Sequence, residues 1–165
     1  MAEKFHKPTE EDMKPYIDAY FKEIKNMEIA EGKNKENENT VKFIEYFNTK
    51  DKFCIVMELC DENLTHFVAN IKRNLNSEDI YEILSQLNNT FRIISVKKIA
   101  HRDIKLENIL IKYDKNDKTK FTVKLTDFGE SKRLALTNKY SQVGTCKFTA
   151  PEILSNKNHN IECDL

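Results

Sequence analysis

The sequence predicts a mixed α+β fold, because two helical patterns alternate with runs that are typical of strands. The helical patterns cover residues 9–30 and 77–96. Aromatic and β-branched residues are concentrated at 41–47, 53–57, 108–111 and 121–125. This order of elements excludes both a pure helical bundle and a β-sandwich.

The first helix is predicted from an acidic start followed by one apolar face. Glu10 and Glu11 favour a helix N-terminus, where negative charge is stabilised by the helix dipole. The apolar residues recur at i, i+3 and i+4 spacing and comprise Tyr16, Ile17, Tyr20, Phe21, Ile24 and Met27. We expect this face to be buried.

The second helix has a clearer N-terminal signal. Ser77 is the predicted N-cap, and Glu78 and Asp79 lie in the first turn. Its apolar stripe consists of Ile80, Ile83, Leu84, Leu87, Phe91 and Ile94. We interpret this stripe as the helix's contribution to the core.

Polar segments connect these elements. Residues 48–52 are typical of a hairpin connection between the first two strands, and residues 113–118 of a turn between the last two. Residues 31–40 are charged and without periodicity, so they are predicted to form a loop. Residues 129–143 are weakly patterned, and loops of that length are usually functional or mobile.

Composition limits the classes of partner. The 165 residues include 27 Lys and Arg and 27 Asp and Glu, so no basic excess points to nucleic acid or to an anionic membrane. No apolar stretch approaches the length of a bilayer span, and residues 1–7 do not resemble a secretory signal. The cysteines at 54, 60, 146 and 163 contain no CxxC pair, which disfavours zinc. Reduced thiols in the cytoplasm or nucleus are favoured over disulfides.

Four motifs stand in a fixed order. Residues 101–108 read HRDIKLEN, which fits the pattern H-R-D-x-x-x-x-N. Residues 127–129 read DFG, Gly144 and Thr145 follow, and residues 150–152 read APE. Each motif alone has an ordinary reading as a turn or a cap. Their joint occurrence in this order is not explained by chance.

These motifs resemble those of the protein kinase family, in its serine/threonine branch. The resemblance implies that Asp103 accepts the proton of a substrate hydroxyl and that Asn108 and Asp127 bind Mg²⁺. Lys105 would reach the γ-phosphate of ATP, and a lysine at this position marks serine/threonine kinases. His101 and Phe128 would pack rather than react.

The resemblance extends upstream to the nucleotide site. In it, Glu23 is the helix glutamate that pairs with a strand lysine, which would be Lys4 in the triplet Ala-Glu-Lys. Met57 would lie behind the adenine as the gatekeeper. The backbone groups of Glu58 and Cys60 would hydrogen-bond the base.

The resemblance also implies a regulated loop. Ser141 lies where the family often carries a phosphate, which an upstream activating kinase would add, and Thr137 is an alternative site. Arg102 would pair with that phosphate. The residues expected to support the site are Arg102, Thr145, Glu152 and Asp164.

The sequence also departs from the family pattern. It contains three glycines, Gly32, Gly129 and Gly144, and therefore no G-x-G-x-x-G loop. We expect a truncated two-lobed kinase-like fold, with an incomplete small β lobe and hinge strand at 1–60 and the first part of a helical large lobe at 61–165. A fragment of a longer gene product is favoured over a degenerate kinase or a short binding protein. The function expected is ATP- and Mg²⁺-dependent phosphorylation of protein Ser/Thr hydroxyls, and the alternative is an inactive kinase-like binding or regulatory module.

Overall fold

The computed structural model describes residues 10–32, 37–49, 52–71, 73–133, 151 and 161–164. Its three helices are α1 (Glu10–Glu31), α2 (Leu64–Asn70) and α3 (Ser77–Val96). Within these described ranges, no helix is both long and apolar enough to cross a membrane. The predicted mixture of helices and strands is confirmed.

The strands of the described residues form small antiparallel sheets. The strands are β1 (Phe43–Asn48), β2 (Phe53–Met57), β3 (Glu62–Asn63), β4 (Ile99–Ala100), β5 (Ile109–Tyr113), β6 (Phe121–Leu125) and β7 (Lys132–Arg133). Strands β1 and β2 form a hairpin, β3, β5 and β6 form the second sheet in that order, and β4 pairs with β7. The short 3₁₀ turns Leu106–Asn108 and Ile161–Asp164 complete the described elements.

Helix α1 buries a narrower face than its apolar pattern predicts. Tyr20, Ile24 and Met27 are buried, but Tyr16 and Phe21 are 69% and 44% exposed, so burial of the whole face was a wrong prediction. The buried positions follow one line along the helix that faces β1 and α3. Phe21 flanks that line and keeps only edge contacts with neighbouring aromatic rings.

Helix α3 has the predicted bounds but a different N-cap. Its N-cap is Asn76, not Ser77, because the Asn76 side chain accepts from the Asp79 amide while Asp79 accepts from the Asn76 amide. The apolar stripe is only partly core: Ile83, Leu87 and Ile94 are buried, whereas Ile80 and Leu84 are 44% and 56% exposed. The buried Thr90 lies in the core-facing line that sequence periodicity assigned to apolar residues alone.

The free edge of β6 is covered by polar side chains. Gln86 of α3 accepts from the Val123 amide at 2.8 Å and donates to the Phe121 carbonyl at 3.2 Å. Asn39 donates its side chain to the Val123 carbonyl at 3.0 Å. Unpaired strand edges are otherwise templates for unwanted pairing. This cover also fixes β6, the strand that leads directly to Asp127.

Several elements differ from the sequence prediction. Helix α2 was not predicted, because seven residues with only Leu64 and Phe67 buried carry too little periodicity. The strand expected at 108–111 begins at Ile109, since residue 108 ends a 3₁₀ turn. The segment from residue 129 was expected to be a loop but contains β7. This strand has two residues, which is too short to give a recognisable pattern.

One apolar core connects α1, α3 and the sheet of β3, β5 and β6. Its fully buried members include Met27, Ile94, Ile99, Ile111, Val123, Leu125 and Phe128. The loops that carry the sequence motifs emerge from this core at the ends of β4 and β6. The core therefore supplies a rigid base for the candidate site.

Candidate active site

The Asp103 carboxylate lies at the centre of a compact polar group. It is 6% exposed and accepts from Lys105 Nζ at 2.6 Å. The Asn108 side chain donates to the Asp103 backbone carbonyl at 2.9 Å and to Oδ2 at 3.0 Å. We call the residues His101, Arg102, Asp103, Lys105, Asn108 and Asp127 the motif cluster. An ionised carboxylate held in this way can accept a proton from a hydroxyl placed beside it.

The backbone of the motif cluster is strained at two positions. Arg102 has φ 69° and Asp127 has φ 65°, both in the left-handed region that non-glycine residues rarely adopt. Asp164 holds the first of these turns, because its carboxylate accepts from the His101 amide at 2.5 Å and from the Arg102 amide at 2.7 Å. Such strain is retained where surrounding structure over-determines it, and it is concentrated at functional sites.

His101 is a packing and hydrogen-bonding residue. It is fully buried, and burial lowers the pKa of its imidazole, so the ring is neutral. Nε2 lies 3.0 Å from the Thr126 carbonyl and must carry the proton, which leaves Nδ1 to accept from the Asp103 amide. The ring also packs edge-on against Phe128, with centroids 4.9 Å apart. His101 thus joins the loop of Asp103 to that of Asp127.

The Arg102 side chain is directed toward the loop that follows Asp127. Its Nε donates to the Glu130 carbonyl at 2.9 Å, and Nη2 donates to the same oxygen. Burial lowers the pKa of this guanidinium. Its expected pairing with a phosphate on Ser141 stays a prediction, because Ser141 lies outside the described residues.

Two carboxylates approach each other where α1 meets the DFG segment. Burial, followed by the nearby Asp127 charge, raises the pKa of Glu23. A Cβ placed on Gly129 would lie 3.3 Å from Asp127 Oδ1 and 3.6 Å from Glu23 Oε2, so Gly129 lies close to both. Two neighbouring anions favour a cation near them.

The donor set fits Mg²⁺. Asn108 uses its amide nitrogen toward Asp103, so its amide oxygen is the atom that would bind a metal beside the Asp127 carboxylate. Within the described ranges there is no group of three or more His, Cys, Asp or Glu side chains that could hold a metal. Two protein oxygens suit Mg²⁺, which usually keeps several waters and binds phosphate oxygens.

The segment after β2 carries the residues expected to contact the base, and their roles stay predictions. Met57 ends β2 and is 39% exposed, and Cys60 is half-buried, with burial raising the pKa of its thiol. The Glu58 amide already donates to the Lys42 carbonyl at 2.9 Å. The Glu58 carbonyl is therefore the backbone group of this residue that is available to a base.

The Glu58 side chain forms an ionic group that the sequence reasoning missed. Its carboxylate accepts from the Lys42 amide at 2.9 Å, from Lys124 Nζ at 2.8 Å and from Lys112 Nζ at 2.5 Å. We call Lys42, Glu58, Lys112 and Lys124 the hinge cluster. Burial raises the pKa of Glu58, but the two lysines and the Lys42 amide together bring it below its ordinary value. The available signal was Lys124, a charged residue between Val123 and Leu125 in an otherwise apolar strand.

Some predicted residues have no described position. Lys4, Ser141, Thr145 and Glu152 lie outside the described residues, so their predicted roles stay predictions. Glu23, Asp103, Lys105, Asn108 and Asp127 are described. Contacts and electrostatic coupling connect them within one region.

Comparison with known families identifies the domain that carries the motif cluster. The protein kinase domain matches residues 1–165. The chain belongs to the protein kinase domain family.

Named relatives are similar over most of this chain. Cyclin-dependent kinase-like 1 of Caenorhabditis elegans is 34% identical over 138 residues, which covers 83% of this chain and 37% of the relative. Serine/threonine-protein kinase 33 of Bos taurus is 27% identical, covering 81% of this chain and 29% of the relative. Serine/threonine-protein kinase CLA4 of Saccharomyces cerevisiae is 29% identical over 100% of this chain and 23% of its own length. The chain thus spans well under half the length of these relatives.

Proposed function

We propose that this chain is part of a serine/threonine protein kinase that transfers the γ-phosphate of ATP to hydroxyl groups of protein substrates. The observation that carries the proposal is the convergence of Lys105 and Asn108 on the Asp103 carboxylate. Phosphoryl transfer depends mainly on positioning and charge neutralisation, and this group supplies both. The substrate class rests on Lys105 and on the names of several relatives.

The proposed reaction assigns one role to each side chain. The substrate hydroxyl oxygen forms a bond to the γ-phosphorus, and the bond from that phosphorus to the oxygen of the leaving ADP breaks. Asp103 orients the hydroxyl and accepts its proton. Lys105, whose pKa is raised by its hydrogen bond to Asp103 and by the charge of Asp127, stays cationic and stabilises the charge on the transferred phosphate.

The nucleotide would lie between the DFG segment and the segment after β2. Asn108 and Asp127 would hold Mg²⁺, which offsets the negative charge of the phosphates. The Glu58 carbonyl and the Cys60 backbone would bind the adenine, with Met57 behind it. Glu23 would pair with Lys4, which would offset the carboxylate repulsion between Glu23 and Asp127.

The proposed domain organisation follows the two sides of this cleft. Residues 1–60 would belong to the small lobe and hinge, and residues 61–165 to the large lobe of a two-lobed fold. An upstream kinase would phosphorylate Ser141, and the new phosphate would pair with Arg102. ATP, reduced cysteines and this regulation together favour an intracellular site of action.

The test is phosphate transfer from ATP to a generic substrate, myelin basic protein, by the wild-type chain and by Asp103→Asn. We expect the substitution to slow transfer by about 100-fold or more, since a positioned general base contributes about 10²–10⁴. Asp18→Asn on the exposed face of α1 is the matched control and should keep the wild-type rate.

The possible outcomes separate two functions. Equal transfer by wild type and Asp103→Asn would exclude Asp103 as the base. Magnesium-dependent ATP binding without any transfer would favour the inactive binding or regulatory module.

A further inference from the structure

The Glu58 carboxylate is a partly buried anion that contacts separate parts of the chain. Glu58 directly follows β2, and its side chain is 10% exposed. Lys112 comes from β5 and Lys124 from β6. Both strands belong to the sheet on the large-lobe side of the proposed boundary at residue 60. The carboxylate therefore bridges the two sides of the proposed cleft.

The backbone of Glu58 is fixed at the same place. Its amide donates to the Lys42 carbonyl at 2.9 Å, while the Lys42 amide donates to Glu58 Oε1 at 2.9 Å. The first bond fixes the peptide that joins Met57 to Glu58, and the second fixes the Glu58 side chain beside it. The Glu58 carbonyl, which belongs to the next peptide, is the backbone group of this residue left to contact a base.

The two lysines differ in burial. The Lys112 side chain is 39% exposed, whereas that of Lys124 is 5% exposed and also donates to the Glu38 carbonyl at 2.6 Å. A buried charge that loses its partner is strongly unfavourable, so Lys124 and Glu58 each hold the other in place. Lys124 also lies three residues before Asp127 on the same extended segment.

We infer that Glu58 is a positioning residue for the nucleotide. Its carboxylate, held by Lys112 and Lys124, fixes the backbone of residues 58–60 relative to β6 and therefore to Asp127. This bridge holds the base-binding segment at a fixed position relative to the metal-binding residues. The inference rests on the proposed kinase function and assigns to the Glu58 side chain a role that is separate from its backbone contact with the base.

The test compares Glu58→Gln with wild type in Mg–ATP binding and in the kinetics of phosphate transfer. Glutamine keeps the size and the acceptor for the Lys42 amide but loses the charge opposite the two lysines. We expect ATP to bind about 10-fold more weakly, as is common when a group is lost that orients the binding residues without contacting the ligand. KM for ATP should rise more than kcat falls. Glu62→Gln, a partly buried carboxylate bonded to Tyr113, is the matched control and should bind ATP as wild type does.

A double variant separates positioning from simple stabilisation. Glu58→Gln combined with Lys124→Met removes both buried charges, so thermal stability should recover relative to Glu58→Gln alone. Because the bridge is still missing, ATP binding should stay about 10-fold weaker. Recovery of ATP binding together with stability would overturn the positioning role.

The remaining outcomes distinguish this inference from the proposed function. If the wild type binds Mg–ATP and Glu58→Gln binds it with the same affinity, the inference alone is overturned. A wild-type chain that does not bind Mg–ATP would overturn the proposed function and the inference together.

Discussion

The motif cluster and the hinge cluster are held in different ways. In the motif cluster, Asp103 is bonded by Lys105 and Asn108, which lie two and five residues away, and the chain itself bends through left-handed turns. In the hinge cluster, Glu58 meets Lys112 and Lys124 from 54 and 66 residues away in the sequence. The first group is set by local backbone geometry, and the second depends on tertiary packing.

This difference predicts how each cluster responds to substitution. Loss of a motif side chain should damage chemistry while the strained loop keeps its shape, because backbone groups and Asp164 hold that loop. Loss of a hinge side chain should damage stability first, because buried charges there balance each other. The following substitutions test this contrast.

Lys124→Met should have the largest effect on stability. It leaves the Glu58 carboxylate buried with one lysine fewer, and we expect a loss of about 3 kcal/mol in the free energy of unfolding. Lys112→Met is the comparison within the same cluster and should cost below about 1 kcal/mol, because Lys112 is 39% exposed. Urea unfolding measures both, and equal losses would show that burial does not decide the contribution of these lysines.

Lys98→Gly should have a smaller and opposite effect. Lys98 follows the C-cap of α3 with φ 55°, a conformation that glycine adopts without a steric penalty. We expect a gain of about 1 kcal/mol in the free energy of unfolding, with phosphate transfer unchanged. The result would show that the left-handed backbone at Lys98, unlike that at Arg102 and Asp127, can be relieved without loss of phosphate transfer.

The control for that prediction is the neighbouring Lys97→Gly. Lys97 has φ −81°, within the ordinary helical region, so glycine there should lower stability by about 0.5–1 kcal/mol. A gain at both positions would contradict the assignment of strain to Lys98.

The members of the motif cluster could be singled out from the sequence because they are close in the chain and their residue types suit one chemistry. Asp103, Asn108 and Asp127 form motifs that are recognisable from residue type and spacing alone. The same reasoning located α3 and the strands β2 and β6, whose patterns are long enough to read.

The sequence could not predict what tertiary packing decides. Exposure of Tyr16 and Ile80 depends on where neighbouring elements end, which periodicity does not report. The Glu58 amide donates to the Lys42 carbonyl, and the Glu58 carboxylate pairs with Lys124. Both interactions join residues that are far apart in the sequence. Helix α2 was missed because its two buried residues form no repeating pattern.

The claim that Asp127 and its neighbours form a magnesium-dependent ATP site can be tested by thermal unfolding. In the wild type, Mg–ATP at about 100 times its Kd should add about 2.7 kcal/mol of stability, and chelation of magnesium should remove most of this gain. Asp127→Asn should lose the magnesium-dependent part, while Asp114→Asn in the exposed β5–β6 turn should keep it. The absence of a magnesium-dependent shift in wild type, or an equal shift in Asp127→Asn, would contradict the claim.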